Sequence, residues 1–281
     1  MTQFCDLHTH SHYSDGTCSP AEILAQAGNL GLSAVALTDH NTVAGLPEFL
    51  AAARGSSVQA VPGVEISSIY GEAELHIVGL FLKPETFDTV TAFLEGFNQK
   101  KEESNRLLVH SLNKAGYELD YDAICAAHPA GTVNRAVIAA ALLEKGYVGS
   151  INGAFQGLLS KRGPHYVPPQ RLSSFEAIAF LRHIGAVPVL AHPFLNLKTE
   201  ETLVPFLREA IPHGLAAMET MYSSFSPETT ALARKMATEF GILESGGSDF
   251  HGKTKPHIRL GTGKGSLAVP HSFVTALQNC I

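Results

Sequence analysis

The segment from Asp6 to Gly16, DLHTHSHYSDG, decides the expected fold because it crowds three histidines and two aspartates behind a short apolar run. In an extended strand, residues i and i+2 point to the same side, so His8 and His10 can both face one cation. Asp15 follows in the next loop. The segment therefore predicts a first strand whose end delivers metal ligands.

Short apolar runs recur along the rest of the chain, and helix-like stretches separate most of them. The helix after the opening segment has clear limits. Ser19 and Pro20 mark its start, Glu22 is placed for a capping box, and Gly31 ends it. Alternation of strands and helices favours a parallel sheet. At 281 residues, the chain has the length of one α/β barrel with a modest insertion.

The middle of the chain differs, since residues 101–167 show helical periodicity without a clear strand between the helical segments. We expect a small helical insertion domain. The barrel would then be formed by residues 1–100 and 168–281.

Further polar residues end predicted strands. His40 ends AVALTDH, Glu65 ends VQAVPGVE and His192 ends AVPVLAH. Asp249 and His251 repeat the i, i+2 spacing directly after another apolar run. The carboxyl ends of barrel strands converge on one face, which is where active sites form. We therefore expect these side chains to meet at that face.

His76 starts an apolar run instead of ending one. An antiparallel hairpin with its turn near Gly71 would explain this, because the returning strand starts where the outgoing strand leaves the barrel. His76 and Glu65 would then share a metal ion. The hairpin predicts a distorted barrel rather than a regular eightfold one.

Six histidines and three carboxylates are thus candidate metal ligands: His8, His10, Asp15, His40, Glu65, His76, His192, Asp249 and His251. A single histidine at a strand end is more often a packed or capping residue. Nine such residues converging without a cation would, however, carry a heavy desolvation cost. The mixed set without cysteine favours Mn²⁺, Fe²⁺ or Zn²⁺ over Ca²⁺ or Mg²⁺. We expect divalent ions at this site, and structural roles for other histidines such as His12, His110, His128, His183 and His213.

Composition argues against several classes of protein. A net charge of −6 disfavours a long nucleic-acid surface, which would need clustered lysine and arginine, but leaves room for a small anionic substrate. The four cysteines are scattered, which argues against a disulfide framework and a thiolate zinc site. No apolar run has membrane-spanning length and the first residues do not resemble a secretory signal, so we expect a cytoplasmic protein. The oligomeric state is left open.

Six motifs resemble, in order, those of the polymerase and histidinol phosphatase (PHP) family: DLHTHSHYSDG, LTDHNT, GVEIS, HIVG, AHP and GSDFHG. The resemblance implies an α/β fold, a distorted (β/α)7 TIM-like barrel with up to three divalent metals on its C-terminal face. Carried over by position, the ions would be held by His8, His10, Glu65 and Asp249; by Glu65, His76 and His192; and by Asp15, His40 and His251. Glu65 would bridge two ions.

Within that family, the chain most resembles small phosphoesterases that remove the 3′-phosphate from nucleoside 3′,5′-bisphosphates, and relatives that trim RNA from its 5′ end. The resemblance implies that the helical insertion caps the substrate site and that Arg135, in VNRAVIAAALLEKG, reaches the substrate phosphate; the alternative for Arg135 is an ordinary exposed helix residue. Lys161, Arg162 and His165 are further candidates, for which a basic loop at a domain junction is the alternative. One position departs from the pattern, because Phe225 stands where relatives often have a histidine.

Three divalent ions would bring six positive charges to the site, whereas the three ligand carboxylates bring three negative charges. The resulting net positive charge favours a phosphate substrate. Water on the ions is expected to lose a proton near neutral pH and to attack phosphorus in line. The catalytic candidates are Glu65, His192, His251 and Asp39. His192 or His251 would protonate the leaving group, while Asp39 would either orient an imidazole or cap the following turn.

The leading hypothesis is a phosphomonoesterase acting on a nucleotide or small metabolite, most specifically a nucleoside 3′,5′-bisphosphate. A 5′ to 3′ exonuclease on short RNA and a histidinol-phosphate-type phosphatase are alternatives from the same chemistry. A non-catalytic metal-binding module is disfavoured because all nine ligand positions are filled. Amide hydrolysis by a binuclear barrel typically uses a carboxylated lysine, and no predicted strand end offers a lysine.

Overall fold

The computed structural model describes residues 3–128, 133–169 and 171–280, and within them eight strands form one sheet in the order β7-β6-β5-β4-β3-β2-β1-β8. The strands are β1 Phe4–Asp6, β2 Ala34–Leu37, β3 Gln59–Tyr70, β4 Ala73–Leu80, β5 Val187–Leu190, β6 Ala217–Tyr222, β7 Leu243–Gly247 and β8 Val269–Pro270. The pairs β1–β2, β2–β3, β5–β6 and β6–β7 are parallel. The predicted parallel sheet is therefore confirmed for most of the barrel.

Backbone hydrogen bonds nearly close the sheet between its first and seventh strands. Just beyond β1, the Leu7 amide donates to Gly246 O at 3.1 Å, and the Asp249 amide donates to His8 O at 2.9 Å. The short strand β8 lies antiparallel to β1. The result is a distorted TIM-like (β/α)7 barrel, which confirms the predicted α/β fold class.

The distortion comes from the hairpin of β3 and β4. These strands are antiparallel, with Glu65 opposite Val78 and Ser67 opposite His76. Gly71 begins the two-residue turn between them and has a φ of +57°, which favours glycine. Because β4 is also antiparallel to β5, its start brings His76 to the same end of the barrel as Glu65. The predicted hairpin is confirmed.

The helices of the barrel unit are α1 Pro20–Asn29, α2 Leu46–Ala52, α7 Ser174–His183, α8 Glu200–Ala210, α9 Pro227–Phe240 and α10 Ser272–Gln278. The capping box predicted for α1 is present: Ser19 Oγ accepts from the Glu22 amide at 3.1 Å, and Glu22 Oε2 accepts from the Ser19 amide at 2.7 Å. Such a cap stabilises a helix by about 1 kcal/mol. Gly31 follows with a φ of +70°.

The barrel interior is filled by small and medium apolar side chains. Cys5, Ala36, Val61, Val189 and Ala217 are all fully buried or nearly so and belong to one cluster. Because these side chains are small, neighbouring backbone segments can pack closely together.

At Gly247, the close packing reaches the segment that follows β1. A Cβ placed on Gly247 would lie 2.4 Å from the Cβ of His8 and 2.5 Å from its backbone nitrogen. Because contacts this short do not occur between such atoms, only glycine lets β7 approach His8 this closely.

A second unit, Ala92–Arg171, is separate from the barrel unit formed by Met1–Thr91 and Leu172–Ile281. Its helices are α3 Phe87–Lys114, α4 Tyr121–Ala127, α5 Arg135–Glu144 and α6 Ile151–Gln156. Leu112, Ile138 and Leu142 are fully buried in its own core. No strand occurs among the described residues of this unit.

The limits of the helical unit differ from the expected range 101–167. It begins within α3, which runs without interruption from Phe87 to Lys114. No change in local pattern therefore marks the point where the chain leaves the barrel. Among the described residues, no helix combines the length and apolar composition needed to cross a membrane.

Candidate metal centre

The segment after β1 stays paired although the strand itself ends at Asp6. The Thr38 amide donates to Thr9 O and the His10 amide donates to Phe250 O, both at 2.9 Å. The backbone on both sides of Thr9 is therefore held by its neighbours. This pairing points His8 and His10 to the same side, with 3.0 Å between their Nε2 atoms.

The first set of donor atoms consists of Nε2 of these two imidazoles and one carboxylate oxygen each from Glu65 and Asp249. Glu65 Oε2 lies 3.3 Å from Nε2 of both His8 and His10. Asp249 Oδ1 lies 3.3 Å from His10 Nε2 and 3.7 Å from His8 Nε2. Four ligands about 2.1 Å from one ion at tetrahedral corners would be about 3.4 Å apart. The observed spacing fits one transition-metal ion.

The other oxygen of Glu65 faces a second set. Glu65 Oε1 lies 2.8 Å from His76 Nδ1 and 3.0 Å from His192 Nε2. The carboxylate is fully buried. Its two oxygens thus point to different groups of imidazoles, which is the arrangement that a bridging carboxylate needs.

A third set surrounds Asp15. Asp15 Oδ1 lies 3.1 Å from His251 Nε2, and Asp15 Oδ2 lies 3.7 Å from His40 Nε2. The sets meet at His40, whose Nδ1 lies 2.9 Å from Glu65 Oε2, and at His10, whose Nδ1 lies 3.9 Å from Asp15 Oδ1.

The structure brings all nine predicted ligands together. They occur in four overlapping groups whose donor atoms lie within 4.8 Å of one another: His10, Asp15, His40 and His251; His8, His10 and Asp249; His8, Glu65 and His192; and His40, Glu65 and His76. The overlap means that neighbouring ions would share ligands.

Several donor atoms at the centre lack hydrogen bonds. Glu65 Oε2, His10 Nδ1 and His40 Nδ1 are buried and have no hydrogen-bond partner among the described residues; the 2.9 Å approach of His40 Nδ1 to Glu65 Oε2 does not have hydrogen-bond geometry. Leaving a buried polar group unsatisfied costs about 1–3 kcal/mol. A cation would satisfy the carboxylate oxygen, so the residues present fit a metal site.

The carboxylates of the centre are held in the charged form that a metal requires. Burial alone would raise the pKa of Glu65, but the facing imidazoles, led by His40 and His76, lower it well below its usual range. Burial likewise raises the pKa of Asp249, while Lys255, followed by other nearby groups, lowers it well below its usual range. Both groups are therefore ionised at neutral pH.

Glu219 is a functional residue that the sequence patterns did not reveal. Its Oε1 accepts from His8 Nδ1 at 2.7 Å, and its Oε2 accepts from the His192 amide at 2.6 Å. Because Nδ1 carries the proton, His8 Nε2 is left with the lone pair that binds a metal. The available signal was an acid inside the apolar run LAAMETM, a pattern typical of a barrel strand with one inward polar residue.

Replacement of Glu219 by glutamine should lower activity about 10- to 100-fold, with a parallel loss of metal affinity. The amide nitrogen of glutamine cannot accept a hydrogen bond, so one of the two contacts is lost. Metal-competition titration and initial rates measure the two effects. Glu244→Gln is the matched control, because Glu244 lies on the adjacent strand and contacts Thr220 and Arg234 instead. Equal rates and affinities in the two variants would contradict the assigned role.

Tyr222 and Lys255 also act on a predicted ligand. The Tyr222 hydroxyl donates to Asp249 Oδ2 at 2.7 Å, and Lys255 Nζ lies 2.7 Å from the same oxygen. Their contacts leave Oδ1 directed at His8 and His10. Neither residue was predicted, since Tyr222 ends β6 one residue beyond the apolar run LAAMETM and Lys255 lies in the loop after β7.

Backbone strain accompanies the centre. Asn41, His192 and Asp249 are non-glycine residues with positive φ, at +52°, +29° and +57°. Such conformations cluster at functional sites, where surrounding contacts hold them. Two of the three are predicted ligands, and the third follows His40.

Asp39 stabilises a loop. Its Oδ1 accepts from the Ser11 amide and from Ser14 Oγ, and its Oδ2 accepts from Ser11 Oγ, each at 2.7 Å. Burial raises the pKa of Asp39, although these hydrogen bonds oppose the shift. Asp39 was expected either to orient an imidazole or to cap the turn that follows it; these contacts instead hold the Ser11 to Asp15 loop, which carries the predicted ligand Asp15.

The predicted substrate-binding residues lie in the helical unit. The Arg135 guanidinium lies 5.1 Å from the ring centre of Tyr166 and 5.6 Å from that of Phe155. His165 Nδ1 lies 2.8 Å from Ser111 Oγ. Lys161 and Arg162 are exposed on the turn after α6. Their roles toward substrate stay predictions.

Comparison with known proteins gives one family. The profile of the PHP domain matches residues 6–156. The 5′-3′ exoribonuclease Rnm of Escherichia coli is 32% identical over 261 residues, covering 91% of this chain and 87% of that one. The 3′,5′-nucleoside bisphosphate phosphatase of Chromobacterium violaceum is 30% identical over 247 residues, covering 88% and 86%. A Bifidobacterium adolescentis structure, assigned as a metal-dependent phosphoesterase, has a TM-score of 0.87 at 27% identity and covers 99% and 96%.

Proposed function

The chain belongs to the PHP domain family and is a metal-dependent phosphoesterase, and on that premise we propose that it removes the 3′-phosphate from a nucleoside 3′,5′-bisphosphate. The relative from Chromobacterium violaceum is named for this class of substrate. The net charge of −6 also suits a small anionic substrate better than a long nucleic acid.

The buried Glu65 carboxylate carries the proposal, because its two oxygens face two different donor sets. We infer two to three divalent ions, Mn²⁺, Fe²⁺ or Zn²⁺, held by the three ligand sets that the family resemblance implies. When bound, such ions supply Lewis-acid stabilisation of phosphate oxygens and activate water.

Residues of this chain orient the metal ligands and supply a proton to the leaving group. Glu219 sets the tautomer of His8, and Lys255 fixes Asp249. His192 is the favoured proton donor to the leaving oxygen, through Nδ1, because its Nε2 faces Glu65 in the second donor set. His251 is less suited because its Nδ1 lies 2.8 Å from Asp249 O and its Nε2 lies 3.1 Å from an Asp15 oxygen.

Exonucleolytic cleavage of short RNA is the second candidate, because the Escherichia coli relative is named for this activity. The two reactions break the same type of bond. Removal of a 3′-phosphate breaks the bond between phosphorus and O3′, and so does release of a nucleoside 5′-monophosphate from the 5′ end of RNA. They differ in whether the phosphorus also carries a second nucleoside.

Incubation of metal-loaded protein with three substrates separates the candidates. These are adenosine 3′,5′-bisphosphate, a 5′-phosphorylated oligoribonucleotide and histidinol phosphate. We expect inorganic phosphate and adenosine 5′-monophosphate from the first. Stepwise release of mononucleotides from RNA, with the bisphosphate left intact, would overturn the proposal in favour of the exonuclease.

Arg135→Ala should raise the KM for the bisphosphate about 10- to 100-fold with little change in kcat, as expected when a hydrogen bond to a charged group is lost. Arg106→Ala is the matched control, since Arg106 also lies in the helical unit against an aromatic ring, 4.6 Å from that of Tyr121. Equal KM values in both variants would remove Arg135 from the substrate contacts. Arg162 and His165 are proposed as weaker contacts to the same phosphate groups.

A further inference from the structure

Three aromatic side chains form a row that starts beside the metal centre. The Tyr222 ring centre lies 5.3 Å from that of His192, the Phe225 ring 5.3 Å from that of Tyr222, and the Phe194 ring 5.8 Å from that of Phe225. We call Tyr222, Phe225 and Phe194 the aromatic row. It leads from a predicted ligand toward solvent.

Two loops at the carboxyl ends of neighbouring strands build the aromatic row. Phe194 lies in the 3-10 turn Pro193–Leu195, directly after His192. Phe225 follows β6, and its amide donates to Tyr222 O at 3.0 Å. This hydrogen bond closes the turn that carries Phe225 and ties the position of its backbone to Tyr222.

Exposure increases along the aromatic row. Tyr222 is 8% exposed, whereas Phe194 and Phe225 are only partly buried. The neighbouring Leu195 is 41% exposed. By contrast, the core phenylalanine Phe49 is completely buried. The outer end of the row is thus an apolar surface beside a charged centre, and apolar area left in water is unfavourable.

We propose that Phe194 and Phe225 bind the nucleobase of the substrate by stacking. This inference rests on the proposed function and adds the base as a recognised group. The ribose separates the 3′-phosphorus from the base, so a base can lie beyond Tyr222 while its phosphate faces Glu65. Aromatic rings bind bases through the π-face that every base has.

The chemistry of the outer rings also sets the selectivity. Phenylalanine offers no hydrogen-bonding group, so Phe194 and Phe225 cannot read the edge of a base. Stacking depends on the area of overlap, so purines should bind better than pyrimidines. The site should therefore accept all four bases and act on substrates without a base with a lower kcat/KM.

The test compares adenosine 3′,5′-bisphosphate with 1,2-dideoxyribose 3,5-bisphosphate, which carries both phosphates but no base. Stacking of one base on an aromatic residue corresponds to a change of about 5- to 150-fold. The Phe194→Ala/Phe225→Ala double variant should lose kcat/KM by a factor in this range for the nucleotide and little for the base-free compound. Phe225→Tyr keeps an aromatic face and should retain the preference.

Phe175→Ala is the matched control, because Phe175 is a partly buried phenylalanine on α7 that stacks on His213 at 5.0 Å. It should leave the ratio of the two kcat/KM values unchanged. Equal losses for both substrates in the double variant would show a structural role and overturn the inference. So would wild-type protein that hydrolyses both compounds equally well. Hydrolysis of neither compound would instead overturn the proposed function and this inference with it.

Discussion

Glu65→Gln is expected to reduce phosphoesterase activity by at least about a thousandfold. Residues that only orient a ligand typically contribute 10- to 100-fold, and Glu65 faces both donor sets directly. Glutamine has the same size, but its amide nitrogen cannot bind a cation, so one of the two donor sets loses its oxygen. Initial rates at saturating metal and substrate measure the loss.

The fold should survive this substitution. Glu65 pairs with Val78 through the backbone, and that pairing does not depend on the side chain. Circular dichroism should therefore match the wild type. Glu48→Gln is the control for an isosteric change in the same unit, since Glu48 lies on α2 and contacts Tyr13 and the Ala21 amide. Wild-type rates for Glu65→Gln would remove the bridging assignment.

Removal of the metal by chelation is expected to abolish activity and to reverse the pH dependence of thermal stability. In the metal-free protein, burial alone would lower the pKa of His76, but Glu65 raises it to about 10. Burial would also lower the pKa of His8, but Glu219 and Glu65 together raise it well above its usual value. These imidazoles stabilise the fold fully below about pH 6.5, and the stabilisation is lost as the pH rises toward their folded pKa values.

The carboxylates act in the opposite direction. The folded pKa values of Glu65 and Asp249 are lowered, so their contribution is present above about pH 4 and is lost in acid. Burial lowers the pKa of His10, which acts against the other imidazoles, but the pKa values of His8, His76 and His251 are all raised. Metal-free protein should thus be most stable near pH 5–6. With metal, protons compete with the ions for the imidazoles, so stability should instead rise from about pH 5 to 7.5.

Thermal melting from pH 5 to 9, with and without metal, measures the reversal. At metal concentrations about 1,000 times Kd, binding adds about 4 kcal/mol, which corresponds to about 10 °C in Tm for a chain of this size. Melting temperatures that follow the same pH trend in both states would contradict metal binding at these imidazoles.

The fold and the cluster could be predicted from sequence because their signals are local. His8 and His10 follow one apolar run, and Asp249 and His251 follow another, so a period of two and a strand end are readable in a few residues. Once a parallel barrel is assumed, strand ends must meet at one face. That rule needs no knowledge of particular contacts.

The supporting residues could not be predicted because their partners are distant in sequence. Glu219 reaches His8 across 211 positions, and Tyr222 reaches Asp249 across 27. Lys255 lies only six residues after Asp249, but no period or strand marks it. The start of the helical unit at Ala92 is not visible in the sequence, because α3 crosses it without a break. Contacts of this kind follow from tertiary packing, which a local pattern does not encode.

The tight approach at Gly247 has a consequence for natural variation. A methyl group at position 247 would clash with the backbone of His8. Gly247 has no side chain that could bind a metal, but it determines the position of the His8 ring nitrogen that does. Changes at such a position would be mistaken for general misfolding, although the first damage would be to the geometry around the ion. Glycines that border a metal-binding segment should therefore be weighed with the side chains that bind it when sequence variants of these enzymes are interpreted.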